Sequence, residues 1–282
     1  MMKCPAPAPA PAPAPVPVPA SAAAAAAWCC RRLLLPALVL ALSCTWPALA
    51  GARELVVFSA GAVKPALAEI APRWQAASGH TLRISYMTAG ELRRHLAEGG
   101  RADVVILPLE NFAAVEAAGL TRAATRRDLG TVGIGVAVRA DAPALDIATE
   151  EGLRRALLQA KSVTYMDPAR GTSGKHMDEV VLPRLGLRDQ VRTKAVLGEG
   201  GMIAEKVARG EVEIAFQQMT ELLPVAGVRI AGSLPATLQK VTVYSAAVMG
   251  SAAGAAEGAA LIDYLSTGPG RAVFLARGFG PP

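Results

Sequence analysis

The chain has 282 residues, of which 29 are basic and 23 acidic, 52% are hydrophobic and only 4% are aromatic, for a net charge of +6 at pH 7. That content suffices for two ordinary domains or one large one and excludes a disordered chain. Four cysteines in this length exclude a disulfide-stapled scaffold.

Residues 1–50 differ from the rest. They hold all four cysteines (Cys4, Cys29, Cys30, Cys44), ten of the 21 prolines and no acidic residue. The Pro-Ala and Pro-Val repeats of residues 5–20 fix φ and remove backbone donors, predicting an extended polyproline-like or disordered tract with no face to bury. Arg31-Arg32, the apolar run Leu33 to Leu42 and the small-residue exit Ala48-Leu49-Ala50 follow the order of a secretory signal, so cleavage after Ala50 and a periplasmic location are expected. A membrane anchor is the rival, but Pro36 and Pro47 interrupt the run, and a spanning helix needs about 20 apolar residues. Ala41-Leu42-Ser43-Cys44 fits a lipoprotein signal poorly. Residues 51–282 then carry 26 basic and 23 acidic side chains, a balance of +3 that weakens any nucleic-acid reading. With no cysteine there, disulfides, thiolate metal sites and a cysteine nucleophile are excluded. His80, His95 and His176 lack ligand spacing such as H-E-x-x-H, and neither a transition metal nor a cofactor is expected.

The elements follow in order. Glu54 to Phe58 reads as a strand, Ser59 to Ala62 as a small-residue turn, and Pro65 to Ser78 as an amphipathic helix closed by Gly79. The unit repeats: strand Thr81 to Tyr86, turn Met87 to Gly90, helix Glu91 to Glu98, strand Asp103 to Leu107. Val132 to Arg139 is an apolar strand, Glu150 to Ala160 a helix, Ser162 to Met166 a strand, Asp167 to Gly174 a polar turn, and Lys175 to Leu185 helical. Gly198 to Gly201 opens a helix running to Arg209, Val212 to Phe216 is a strand, Val241 to Met249 a long returning strand, and Ala255 to Ser266 and Gly270 to Ala276 are helices. Strands separated by helices predict an α/β fold with parallel pairing and right-handed crossovers, in two lobes that share a chain crossing twice. The lobes are expected at 51–135 with 242–282, and at 136–241.

Three turns rich in Ser, Thr and Gly each open a helix, where first-turn amides lack internal partners and sit at the positive end of the dipole. Several such ends facing one cleft make an anion site; a single one is more often only a cap. Gly171-Thr-Ser-Gly174 is not G-x-S-x-G and has no interpretable His or acid partner, so a serine nucleophile is not expected. Gly130-Thr-Val-Gly-Ile-Gly135 lies within a β-like run with no following lysine, which suits a backbone crossing or bulge better than a nucleotide loop. Asp103 reads as a structural carboxylate at a strand end, and Lys64 and Arg170 as lone basic residues in turns.

Val56-Val-Phe-Ser-Ala-Gly-Ala62, Met87-Thr-Ala-Gly-Glu-Leu92, Glu98-Gly-Gly-Arg-Ala-Asp-Val-Val105, Gly133-Ile-Gly-Val-Ala-Val138 and Glu211-Val-Glu-Ile-Ala-Phe216 together resemble the molybdate-binding periplasmic proteins of ABC importers. The resemblance covers residues 53–280. It implies the type II periplasmic binding protein fold, two α/β lobes joined by two crossing strands around a central ligand cleft. It also implies a small anionic ligand and an ABC permease at the inner membrane as partners, with no nucleic acid, and a monomeric chain. Ligand contacts are expected from Ser59, Ala60, Gly61, Ala62, Thr88, Ala89 and Gly90 in the first lobe, and from Arg170, Thr172, Ser173, Gly201, Gln217 and Gln218 in the second. Members that bind molybdate or tungstate carry a serine in each of the first two turns, where this chain has Ala62 and Ala89, and a tyrosine after the late strand, where it has Gln218. Losing such donors costs about 1.5–3 kcal/mol each when the partner is charged. A divergent binder of a small anion is therefore expected, either an oxyanion such as molybdate or a small carboxylate, to which the Gln217-Gln218 carboxamides are suited. No catalysis is expected; a ligand sensor, or an enzyme on the same scaffold with a positioned acid or base, are the alternatives.

Overall fold

In the computed structural model residues 51–282 are described; the Pro-Ala tract and the secretory signal lie outside the described residues. Nine strands form one continuous, mixed network. β1 (Glu54–Ala60) pairs in parallel with β2 (Thr81–Met87) and β3 (Val104–Pro108). The helix between β1 and β2, Lys64–Ser78, carries Pro65 in its first turn, which tolerates proline because the missing N–H would be unpaired there. Its Ala66, Leu67, Ile70 and Trp74 recur at helical spacing and are buried, and Gly79 at φ 74° ends it in the left-handed conformation. Thr88 caps the next helix, Ala89–Ala97, in a capping box with Glu91.

The crossing lies in β4 (Arg127–Arg139). Residues up to Gly133 pair antiparallel with β9 (Val241–Val248), which joins β3. From Ile134 onward the same strand pairs instead with β7 (Ile214–Gln218), and from Gly135 with β8 (Val228–Ser233). β7 is flanked in parallel by β5 (Val163–Met166), and β5 by β6 (Ala195–Gly198). Gln239, on the returning segment, binds the switch point: the Ile134 N–H donates to its Oε1 at 2.8 Å and its Nε2 donates to the Ile134 carbonyl at 2.9 Å. A Cβ at Gly133 would lie 3.1 Å from Gln239 Nε2, so glycine lets the carboxamide approach. Gly130 sits at the register shift with β9 and packs against the Gly280 carbonyl, a bulge rather than a nucleotide loop.

Both faces of each half of the sheet are covered. In the first, Leu55, Val57, Trp74 and Phe274 pack on one side, and Phe58, Leu92, Phe112 and Val115 on the other. In the second, Leu153, Tyr165, Met177 and Phe216 form one layer, and Ala204, Val207 and Leu222 the opposite one. Asp103 is the structural carboxylate expected, accepting from Val56 N–H at 2.9 Å and Gly254 N–H at 3.0 Å.

Several elements depart from the sequence reading. Helix Leu109–Ala117 and strands β6 and β8 were not expected, and β4 starts at Arg127 rather than Val132. β6 and β8 are edge strands with exposed or half-exposed residues, so they lack the apolar run that marks a buried strand. The expected helix over 175–185 is divided into Thr172–His176, a π-helical turn Met177–Val181 and Leu182–Arg184. Pro183 supplies no N–H to the Glu179 carbonyl, which accounts for the loosened ladder.

Candidate functional site

The carboxyl ends of β1, β2, β5, β6 and β7 converge on a cavity of about 620 Å³, the usual ligand position in such sheets. Ala60, Gly61, Ala62, Thr88 and Ala89 line it from one lobe, and Thr172, Ser173, Gly201 and Gln218 from the other. Local sequence sets each turn. A Cβ at Gly174 would coincide with the Met166 carbonyl oxygen, so glycine alone lets helix Thr172–His176 start against the end of β5 with Thr172 and Ser173 facing the cavity. Gly201 takes φ 71°, turning the chain after β6.

Four expected residues stand behind these walls. The Ser59 hydroxyl is buried and donates to the Ala60 carbonyl at 3.1 Å. Gln217 is fully buried and braces the turn after β6, accepting from Ile203 N–H at 3.1 Å and donating to the Gly201 carbonyl at 2.7 Å. Gly90 and Arg170 meet each other across the lobes. The Gly90 N–H donates to the Arg170 carbonyl at 2.8 Å, and Arg170 Nη1 donates to Glu91 Oε1 at 3.0 Å and to the Glu199 carbonyl at 2.9 Å. Donation from the Thr88 backbone, then its hydroxyl and the Arg170 charge, hold the Glu91 carboxyl below its ordinary range.

Glu221 escaped sequence reading. It lies in the single-turn helix Met219–Leu222, directly after β7, and only 8% of it is exposed. A Cβ on Gly61 would sit 3.0 Å from its Oε1, so the carboxyl reaches the turn that opens the first-lobe helix. Burial pushes its pKa up to about 8, with the Gln217 carboxamide opposing weakly, and it has no salt-bridge partner among the described residues. In the sequence it is one acid at a helix start, with nothing to separate it from an ordinary first-turn glutamate. Tyr244 from β9 is almost fully buried in the same wall; burial, reinforced by the Glu221 charge, raises its phenol above the ordinary value and keeps it a neutral donor. Tyr86 is pushed up to about 12 by burial, and the Lys64 ammonium stands 5.6 Å from its ring centroid. Lys64 thus lines the cavity, where the sequence left it a lone turn residue. Gln218 Nε2 donates to Thr242 at 3.2 Å, while its Oε1 is buried with no protein partner.

The arrangement offers backbone amides, hydroxyls, carboxamides and phenols, with methyl groups at Ala62 and Ala89, the cations of Lys64, Lys206 and Arg209, the carboxyls of Glu91, Glu199 and Glu205, and the buried carboxyl of Glu221. Among the described residues no three His, Cys, Asp or Glu side chains gather as metal ligands would. Such a cavity can hold an extended anion between two lobes.

Two lobes, a chain crossing between them and donors from both at one cleft give the chain the two-lobed fold of periplasmic binding proteins. The chain belongs to the family described as bacterial extracellular solute-binding protein, whose profile it matches over residues 55–280. It is 33% identical over 218 residues to an aconitate isomerase from Pseudomonas sp., covering 76% of this chain and 82% of that protein. Its fold is similar to the periplasmic molybdate-binding protein of Azotobacter vinelandii, with a TM-score of 0.69 at 18% identity over 81% of this chain and 99% of that one. The sulfate-binding protein SubI of Mycobacterium tuberculosis gives a TM-score of 0.66 at 17% identity, covering 81% and 87%.

Proposed function

We propose that this protein captures a small anion bearing more than one carboxylate in the cleft between its lobes. The observation that carries this reading is the composition of the cleft: neutral donors and cations (Lys64, Lys206, Arg209) from both lobes, methyl groups at Ala62 and Ala89 in place of oxyanion-binding hydroxyls, and a buried carboxyl at Glu221. A compact doubly charged oxyanion beside Glu221 would meet a like charge or a single acid proton. A longer carboxylate can spread its charge over donors on both walls. The 33% identical relative is named for aconitate, a tricarboxylate, which agrees with this class.

The lobes, 51–135 with 242–282 and 136–241, would turn about the switch at Gly133 and Ile134 and close on the ligand, because contacts from both walls exist together only when closed. In the transport reading the exported monomer works in the periplasm, and its closed form docks on an ABC permease. A second reading, conversion of the bound carboxylate, is favoured by Glu221, because a buried acid titrating near neutral pH is suited to proton transfer.

Thermal-shift measurement on the purified protein tests the capture. The panel is cis- and trans-aconitate, citrate, succinate, molybdate and sulfate. A carboxylate at 100 times its Kd stabilises by about 2.7 kcal/mol, a rise of roughly 5–10 °C for a domain of this size. Response to molybdate with none to any carboxylate would overturn the reading.

A further inference from the structure

A second, smaller cavity of about 330 Å³ lies beside the cleft, near the lower limit for small-molecule sites. Helices Ala89–Ala97 and Leu109–Ala117 line it from the first lobe and residues 168–175 from the second. It shares Ala89, Gly171 and Thr172 with the cleft, so these residues form a common wall.

Its charge is one-sided. Arg93, Arg170, Lys175 and Lys240 line it against a single acid, Glu110. Two of the four cations are engaged across the lobes, Arg170 with Glu91 at 3.0 Å and Lys240 with Glu110 at 2.7 Å. The other two are not. Arg93 has no acidic partner among the described residues, and Lys175 has Glu179 at 4.0 Å, an exposed pair of a kind that contributes little. Arg93 belongs to the first lobe and Lys175 to the second, so an anion held by both would join the lobes. Next to Glu110 on the same helix stands Asn111, whose Oδ1 is buried with no hydrogen-bond partner. A buried acceptor is normally paired, and none of the neighbouring side chains supplies the donor. Cations alone would attract any anion. Cations beside an unpaired acceptor select an anion that itself donates a hydrogen bond, and at neutral pH hydrogen phosphate carries such an O–H whereas sulfate does not.

We infer that this cavity is a second anion site, specific for inorganic hydrogen phosphate. Arg93 and Lys175 donate to its unprotonated oxygens from opposite lobes, Lys240 adds positive charge, and its O–H donates to Asn111 Oδ1. No bond is made or broken. The inference does not depend on which ligand the cleft takes.

Isothermal titration calorimetry of the purified protein with phosphate and with sulfate, at neutral pH and constant ionic strength, tests this. Phosphate is expected to bind, and sulfate to bind about tenfold more weakly or worse, because sulfate leaves Asn111 Oδ1 unpaired and sets a further oxygen against it. Arg93→Ala combined with Lys175→Ala changes two exposed residues that do not line the cleft. That double variant should weaken phosphate by about tenfold or more while the melting point of the free protein moves by less than a few degrees. Asn111→Ala removes the acceptor and should bring the phosphate and sulfate affinities together, which separates recognition of the proton from attraction by charge. Phosphate binding undiminished in the double variant would locate phosphate elsewhere and overturn the inference. No phosphate binding, equal affinity for sulfate in the wild type, or a phosphate preference unchanged in Asn111→Ala would overturn it too. Carboxylate capture would stand in each case, since the thermal-shift panel tests it separately.

Discussion

Gly61 and Glu221 show how one missing methyl group shapes the cleft. Adding a Cβ at Gly61 places it 3.0 Å from the Glu221 carboxyl, closer than nine in ten real contacts of that kind, so Gly61→Ala should displace the carboxyl. The expected result is a ligand-induced thermal shift reduced by half or more, with the melting point of the free protein changed by less than a few degrees, since only a flexible side chain has to yield. Thr172→Ala removes a cleft hydroxyl and should weaken carboxylate binding by about 1.5–3 kcal/mol if that group bonds a charged oxygen, which calorimetry would read as at least a tenfold rise in Kd. At this scale the sequence exposed the small and hydroxyl-bearing turn residues because turn chemistry is local: Thr88 caps its helix and Gly174 permits the next one to start. Glu221, Tyr86 and Tyr244 were illegible because their importance comes from burial beside residues far away in the chain.

The crossing strand is the element on which motion depends. β4 changes partners between Gly133 and Ile134, and Gln239 holds the outbound and returning segments together through both polar atoms of the Ile134 peptide. Gln239→Ala would leave a part-buried N–H without its partner, at a cost of about 1–3 kcal/mol, so differential scanning calorimetry should show a melting point lower by several degrees. Helix Ala89–Ala97 supplies a further interlobe contact. A Cβ at Gly90 would stand 2.7 Å from the Ala169 carbonyl oxygen and 2.9 Å from that of Arg170, and rigid backbone cannot yield as a side chain does. Gly90→Ala should therefore hold the lobes apart, enlarging the radius of gyration in X-ray scattering with ligand present and weakening binding without touching a cleft-lining residue. An unchanged scattering curve would show that the lobes close without this contact.

At the scale of the molecule, Glu221 leaves a signature in stability. Its pKa is about 8 in the folded chain against 4.5 as the ordinary value, so between those values the native state holds a proton that the unfolded chain has released. The contribution is fully present below about 4.5, is lost as pH rises toward 8 and is constant above, at most about 1.4 kcal/mol per pH unit. The carboxyls lowered by their partners, Glu69, Glu91, Glu150, Asp178 and Glu211, act in the opposite sense and below this window, since they are ionised in both states above the unfolded value. The free protein should accordingly unfold at lower denaturant as pH goes from 5 to 8, and Glu221→Gln should flatten that slope. An equal slope in the variant would mean that Glu221 is ionised in the fold at neutral pH.

The α/β class, the parallel units at either end of the network, the glycine crossing in β4 and the helix-opening turns were determined by the sequence itself, since each depends on residues close in the chain: apolar periodicity, caps and glycines. The collective pattern of short motifs also carried the likeness to molybdate-binding periplasmic proteins, in keeping with the family the chain belongs to. Edge strands β6 and β8 and helix Leu109–Ala117 were less legible, because an edge strand lacks a buried run and a nine-residue helix offers few repeats. Only the tertiary structure set Arg170 against Glu91, put Gln217 behind the cleft wall, and buried Glu221 beside Gly61, 160 residues away in the chain. The physical reason is the environment of the carboxyl: its basicity depends on how much water reaches it and which charges stand nearby, and chain folding alone fixes both.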